Sequence, residues 1–379
     1  MFNPGHSRVY FKSSQKLAAS EFSIVSQKLS APVLKVEYKI IAGLEYFTFS
    51  VESILTPGDL DIVSGLSFVY ALFELAAHDG AGCLLPIAKS DYCFVDEGIS
   101  SILKYTGKTN ELFTRMLINV AYYSQDCANE AAYGSQDGLQ DGAREVVYGS
   151  LDGANEAAYG SLDSMREVRL LDPVAGKGTT LYEGLIKGFN VYGVEIGDKV
   201  VTEAYHFMKK FLETGKYKHK SGIQKVSGVN KSFTANRYTF EIARSKAGQK
   251  SNDVRVFEII AGNSVHAGVF YKRGFFDMIV GDLPYGVQHG SVTNQKQGPL
   301  TRNPSELLGA CLGAWADVLK PGGAMVLSWN KNVLARGGVE ALLGGCGLEV
   351  LDGPAYRGFE HRVDQSIVRD VAAAKKPRG

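Results

Sequence analysis

A chain of 379 residues exceeds one ordinary domain and suits two, at ~100–200 residues each. Hydrophobic residues make up 45% and charged residues 21%, with Lys+Arg 41 against Asp+Glu 40, so no whole-molecule field announces a nucleic-acid partner. Five scattered cysteines without a CxxC pair exclude a disulfide framework and a zinc ribbon, and the apolar runs fall short of the ~18 residues of a membrane span. The opening Met-Phe-Asn-Pro-Gly-His-Ser-Arg has no apolar signal core. These features predict a soluble, reduced, cytoplasmic protein.

Residues 1–123 are expected to form a small α+β domain. Val9-Tyr-Phe11 is taken as a short strand, and Ala18, Phe22, Val25 and Leu29 then recur at helical spacing. Leu34, Val36, Tyr38 and Ile40 alternate with Lys35, Glu37 and Lys39, which predicts a strand with one wet face. Tyr46 to Val51 is a further β-rich run, and Leu66 to Leu75 is apolar enough for a buried strand or helix. Leu112, Phe113, Met116, Leu117 and Val120 form a helical stripe opening after Asn110, an N-cap residue type.

Residues 124–167 differ in kind. Tyr133-Gly-Ser-Gln-Asp-Gly138 recurs as Tyr148-Gly-Ser-Leu-Asp-Gly153 and Tyr159-Gly-Ser-Leu-Asp-Ser164, at unequal intervals that do not suit a stacked solenoid. Nine acids, two arginines and many glycines predict a disordered acidic linker, since such a segment buries too little apolar surface to offset its ordering entropy.

From Val168 strands and helices alternate, the pattern of a mostly parallel sheet covered on both faces. Asp172-Pro-Val-Ala-Gly-Lys-Gly178 follows a strand and opens a helix at Thr179. Lys177 is followed by Gly178 rather than Ser or Thr, so this is no nucleotide phosphate loop, and a dinucleotide GxGxxG also fails. Glu195 ends the next strand, where a carboxylate is well placed to accept hydrogen bonds from both ribose hydroxyls of an adenosine. Phe276 to Gly281 is a buried strand ending in Asp282-Leu283-Pro284-Tyr285, and Asn303-Pro-Ser-Glu306 reads as a helix start.

This ordering resembles the class I S-adenosylmethionine-dependent methyltransferases that modify exocyclic amines of nucleobases through a D/N-P-P-Y motif. The resemblance spans 168–370: the D-P-x-x-G-x-G turn, Glu195, Gly262-Asn263-Ser264 after the third strand, D-L-P-Y, and the Lys320-Pro-Gly-Gly323 hairpin. Asn3-Pro-Gly and Leu103 to Arg115 also look like the tRNA guanosine N2-methyltransferase family, whose better-known members carry a THUMP-type RNA-binding domain. The resemblance implies that Asp172, Pro173, Gly176, Gly178, Thr179, Glu195, Asn263 and Ser264 hold S-adenosylmethionine. It likewise implies that Asp282 and the Leu283 carbonyl accept the target amine's hydrogens, with Pro284 and Tyr285 holding the base. Two positions depart from the family: Leu283 stands for its first proline, keeping the carbonyl, and Asn263 stands for the commoner Asp as an adenine N6 acceptor.

Between Lys209 and Lys250 eleven basic residues face two acids, interleaved with Phe211, Tyr217, Phe233, Tyr238 and Phe240. Such a composition grips phosphates and stacks bases, which nominates Lys216, Lys218, Lys220 and Lys225 as RNA contacts. The amide-rich stretch 286–302 is a candidate substrate loop, and the histidines show no metal-ligand spacing.

The expected architecture is therefore α/β: a Rossmann-like class I methyltransferase domain with a doubly wound sheet over 168–370, a smaller α+β domain over 1–123, the linker 124–167 and a basic tail 371–379. The expected function is methylation of an exocyclic amine in tRNA, N2 of guanosine ahead of N6 of adenosine, with S-adenosylmethionine and no metal. A DNA adenine-N6 or cytosine-N4 methyltransferase and a catalytically silent RNA-binding protein on the same fold are the alternatives.

Overall fold

A computed structural model describes residues 1, 8–78, 81–103, 108–126, 167–285 and 303–378. The repeats of the expected linker and the stretch 286–302 lie outside the described residues.

The chain opens with helix α1 (Arg8–Val25), so Val9-Tyr-Phe11 is helical and not a strand. Three consecutive apolar residues have no period of their own, and the buried stripe of Leu17, Ala18, Phe22, Ile24 and Val25 carries the helix. Strands β1 (Val33–Ile41) and β2 (Leu44–Val51) pair antiparallel through a two-residue turn with Ala42 at φ 51° and Gly43 at φ 78°, the left-handed pair that tight hairpins need. Helix α2 (Pro57–Ser64) follows a reciprocal cap between Thr56 and Asp59. Leu66 to Leu75 is not one element: a turn precedes strand β3 (Leu72–His78), which among the described residues pairs only with β4 (Ala81–Ile87). Short helix α3 (Ile99–Ile102) then leads to α4 (Glu111–Tyr123), which Asn110 caps by accepting from the Leu112 and Phe113 amides.

The large sheet takes ten strands: β5 (Arg169–Asp172), β6 (Asn190–Glu195), β7 (Lys218–Ser227), β8 (Thr234–Ala243), β9 (Arg255–Ala261), β10 (Phe276–Asp282), β11 (Leu319–Asn330), β12 (Glu349–Leu351), β13 (His361–Arg362) and β14 (Val368–Lys375). Their order is β12-β14-β11-β10-β5-β6-β9-β8-β7, with β13 on β14. Strands β5, β6, β9, β10 and β11 are mutually parallel, and β14 runs antiparallel to its neighbours. The chain winds from β5 outward through β6 to β9, then returns to β10 on the other side. This doubly wound, Rossmann-like order sets the antiparallel β14 near one edge and the antiparallel β8 beyond β9 near the other. It creates a switch point between β5 and β10, where ligands bind outside the strands' carboxyl ends. The β7–β8 hairpin extends the sheet beyond β9.

Helices α5 (Thr179–Ile186) and α6 (Asp198–Thr214) contribute to one core cluster; the short α7 (Lys246–Lys250) buries no residue, and the short α8 (Ala267–Phe270), α9 (Pro304–Val318) and α10 (Arg336–Gly345) contribute to a second. Helix α4 joins the first cluster: Phe113, Met116, Leu117 and Val120 pack with Leu170, Leu181 and Leu185, each such side chain contributing ~1.5–3 kcal/mol on burial. Arg115 of α4 forms a 2.8 Å pair with the fully buried Glu183 of α5. The boundary expected after residue 123 therefore does not separate two cores, because α4's apolar face is covered by the large sheet's own helices. A second correction falls at the other end. Residues 371–375 are not tail but the interior of β14, whose alanines are buried between β11 and β12.

Among the described residues no helix is long and apolar enough to cross a membrane, and no group of three or more His, Cys, Asp or Glu side chains is arranged to hold a metal ion.

Candidate active site

Three acidic strand ends converge at the switch point: Asp172 on β5, Glu195 on β6 and Asp282 on β10. After Asp172 the chain turns through Gly176 (φ 52°) and Gly178 (φ 92°), left-handed values that an L side chain resists. Among the described residues, a side chain at Gly176 would meet no atom within 4 Å, so none of them covers the turn there. Asp172 Oδ1 accepts from the Val174 amide at 2.9 Å. Burial is the main cause that lifts the Asp172 carboxyl to about 7, with Asp282 and Glu195 adding repulsion.

Glu195 closes the turn from the neighbouring strand. Its Oε2 accepts from the Gly176 amide at 3.1 Å and its Oε1 from the Gly197 amide at 2.8 Å. Burial raises this carboxyl too, against the pull of those amides. Pro173 and Thr179 flank the same turn, with Thr179 buried at the first position of α5.

Asn263 and Ser264 follow β9, but their polar atoms have local uses. Asn263 Oδ1 caps the Val265 amide at 3.1 Å, so only its second lone pair remains for an adenine amine. The Ser264 hydroxyl oxygen accepts from the Trp315 indole at 2.9 Å and is buried, which ties it to the core of α9.

At Asp282 the neighbours come from four parts of the chain. The Tyr285 hydroxyl donates to both carboxylate oxygens at 2.5 Å, and Thr109, just before α4, donates to Oδ2. Arg369 of β14 lies 3.7 Å from Oδ2 and donates to the Tyr285 hydroxyl. Asn330 at the end of β11 donates to the Tyr285 carbonyl at 3.3 Å. Leu283 is buried, and its amide donates to the Ser328 carbonyl at 2.8 Å, extending the β10–β11 ladder by one residue; Pro284 is half-buried beside it. His361 stands near the cluster with its imidazole pushed down to about 4, chiefly by burial.

Thr109, Asn330 and Arg369 escaped the sequence reading. Asn330 has a signal, since it ends a strand of the same sheet. Thr109 sat beside the residue read as a cap, and Arg369 has no local signal at all.

The four nominated lysines are exposed but do not lie together. Lys225 pairs with Asn236, Asn236 with Ala261, and Ala261 with Glu195, so Lys225 shares a row across the sheet with the site. Lys218 pairs with Ala243 at the amino end of β9, and Lys216 and Lys220 are near it. At ~3.3 Å per residue, roughly 20 Å of strand separates Lys218 from Lys225. The hairpin's turn, Val229–Lys231, projects beyond the Lys225 end and is exposed.

No protein-family model and no curated protein matches the chain. Among solved structures it is similar to a TehB-like S-adenosylmethionine-dependent methyltransferase from Corynebacterium glutamicum (16% identity over 57% of this chain and 84% of that one, TM-score 0.30). It is also similar to the magnesium protoporphyrin IX methyltransferase of Synechocystis, solved with bound S-adenosylmethionine (13%, 72% and 100%, TM-score 0.33). A third is an rRNA methylase from Streptococcus thermophilus (8%, 61% and 100%, TM-score 0.32). Likeness at this level concerns the course of the chain, not the substrate.

Proposed function

We propose that this chain is an S-adenosylmethionine-dependent methyltransferase acting on an exocyclic amine of a base in RNA, N2 of a guanosine in tRNA before other targets. The observation that carries it is Asp282-Leu-Pro-Tyr285 at the carboxyl end of β10, beside the Gly176–Gly178 turn and Glu195 across one switch point. The residues fit the cofactor. The carboxyl groups of Asp172 and Glu195 offer acceptors to a ligand bearing an ammonium and ribose hydroxyls, and the turn at Gly176 lets a ligand approach backbone. Gly176, Gly178, Asp172 and Glu195 would hold it, Glu195 on the ribose. When bound, the cofactor supplies a methyl group already activated on sulfur, so the protein's task is positioning.

A base amine is a poor nucleophile because its lone pair is delocalised into the ring. In this reading the Asp282 carboxylate and the Leu283 carbonyl accept its hydrogens and favour the pyramidal geometry, and the proton the nitrogen sheds on gaining the methyl passes to the Asp282 carboxylate as the methyl–sulfur bond breaks. The Tyr285 hydroxyl, now on Asp282, yields to the amine, and its ring stacks on the extruded base. Lys225, in the row of the site, and Lys231, at the hairpin turn, would meet flanking phosphates.

The test is single-turnover methyl transfer to bulk tRNA from cells lacking the gene, at saturating enzyme and cofactor. Asp282→Ala should keep the fold and cofactor affinity and lose about 100-fold or more in rate. A wild-type rate in Asp282→Ala would remove the amine-methyltransferase reading.

A further inference from the structure

We propose that Arg369 is a positioning residue for methyl transfer, holding Asp282 and Tyr285 in the arrangement that receives the amine. This rests on the reading of Asp282 given above. Arg369 is 3% exposed and comes from β14, a strand not adjacent to β10. Its guanidinium lies between two rings, 4.4 Å from the Phe113 centroid and 5.0 Å from that of Tyr285. From there it donates to the Tyr285 hydroxyl and stands 3.7 Å from Asp282 Oδ2. Register fixes its height: Arg369 pairs with Asn330, which donates to the Tyr285 carbonyl, so two neighbouring strand ends grip Tyr285 at opposite ends.

A planar, permanently charged fork suits this place. It stacks on both rings and keeps a compensating charge beside a half-buried carboxylate that must stay ionised to accept an amine hydrogen. Among the described residues, the other groups facing Asp282 do not supply that charge. Tyr285 and Thr109 are neutral donors, Asp172 on β5 is acidic, and His361 on β13 is neutral above about 4.

The experiment is the pH profile of single-turnover methyl transfer to the same bulk tRNA, using a tritium-labelled methyl donor. Arg369→Gln should retain cofactor affinity, slow transfer by about 100-fold at neutral pH and displace the acid limb upward by about one unit or more, with recovery at high pH. Arg369→Lys should return the limb to its wild-type position. Should Arg369→Gln fail to fold, Phe113→Leu loosens the guanidinium without touching Asp282, and a smaller displacement of the same sign is expected. A folded variant with wild-type rate and limb overturns the proposal, as does a pH-independent loss that Lys does not rescue. Asp282→Ala, run alongside, separates the two claims. If it is inactive while Arg369→Gln is normal, only the role of Arg369 fails; if it is active, both fail.

Discussion

The Gly176 amide donates to Glu195 Oε2 at 3.1 Å, joining a glycine turn after one strand to the acidic end of the next. With the Gly197 amide on its other oxygen, Glu195 is held in place by backbone on both sides. A buried carboxylate so held is fixed before any ligand arrives, which lowers the ordering cost of binding one.

Glu195→Ala should therefore weaken S-adenosylmethionine by ~1.5–3 kcal/mol, the scale of hydrogen bonds to a charged acceptor, with Glu195→Gln intermediate. Isothermal titration checks this. Wild-type affinity in the alanine variant would take Glu195 out of the cofactor site.

Asp172 makes a pH prediction. Its carboxyl is raised to about 7 from an ordinary 3.8 when folded, so the native state binds a proton between those values that the unfolded chain releases. The associated stability is fully present below about pH 4 and is lost as pH rises through about 7, up to ~4 kcal/mol in all. Buried Glu195 acts in the same direction, so the informative quantity is a difference. Urea unfolding of Asp172→Asn should show a flatter fall than wild type between pH 5 and 8. Parallel curves would mean that Asp172 is ionised throughout.

Leu283→Pro would introduce the residue found in the family the sequence resembles, and on sequence alone it is tolerated unless a neighbour needs the Leu283 N–H. The structure shows that N–H in use: the Leu283 amide donates to Ser328 at 2.8 Å, and the side chain is 1% exposed. A loss of ~1–3 kcal/mol in chemical denaturation is expected from the vacated carbonyl and the changed packing. No measurable loss would show that β11 finds another donor.

The lysines divide by height on the sheet. Lys225→Gln with Lys231→Gln should weaken RNA binding and reduce the slope of log K against log salt by roughly 0.7 per lost phosphate contact. Neutralising Lys216, Lys218 and Lys220, at the far end of the hairpin, should do less. Filter binding across a salt series decides it, and a larger effect from the distant three would put the RNA path along the hairpin's whole length.

Much of the candidate site's layout was legible in the sequence because it is written in local interactions. The Asp172–Gly178 turn, Glu195 and Asp282 each sit where a strand stops, and Asn110 and Asn303 announce helices through caps spanning two or three residues. Such features depend on backbone dihedrals and near-neighbour hydrogen bonds, so residue type and spacing suffice to find them. Only the tertiary structure decided that α4 belongs to the large core, that residues 371–375 form an inner strand, and that Lys225 but not Lys218 stands level with Glu195. It alone brought Thr109 and Arg369 to Asp282. Those outcomes follow from strand order, register and the burial of faces against distant partners, free energies that no short window of sequence contains.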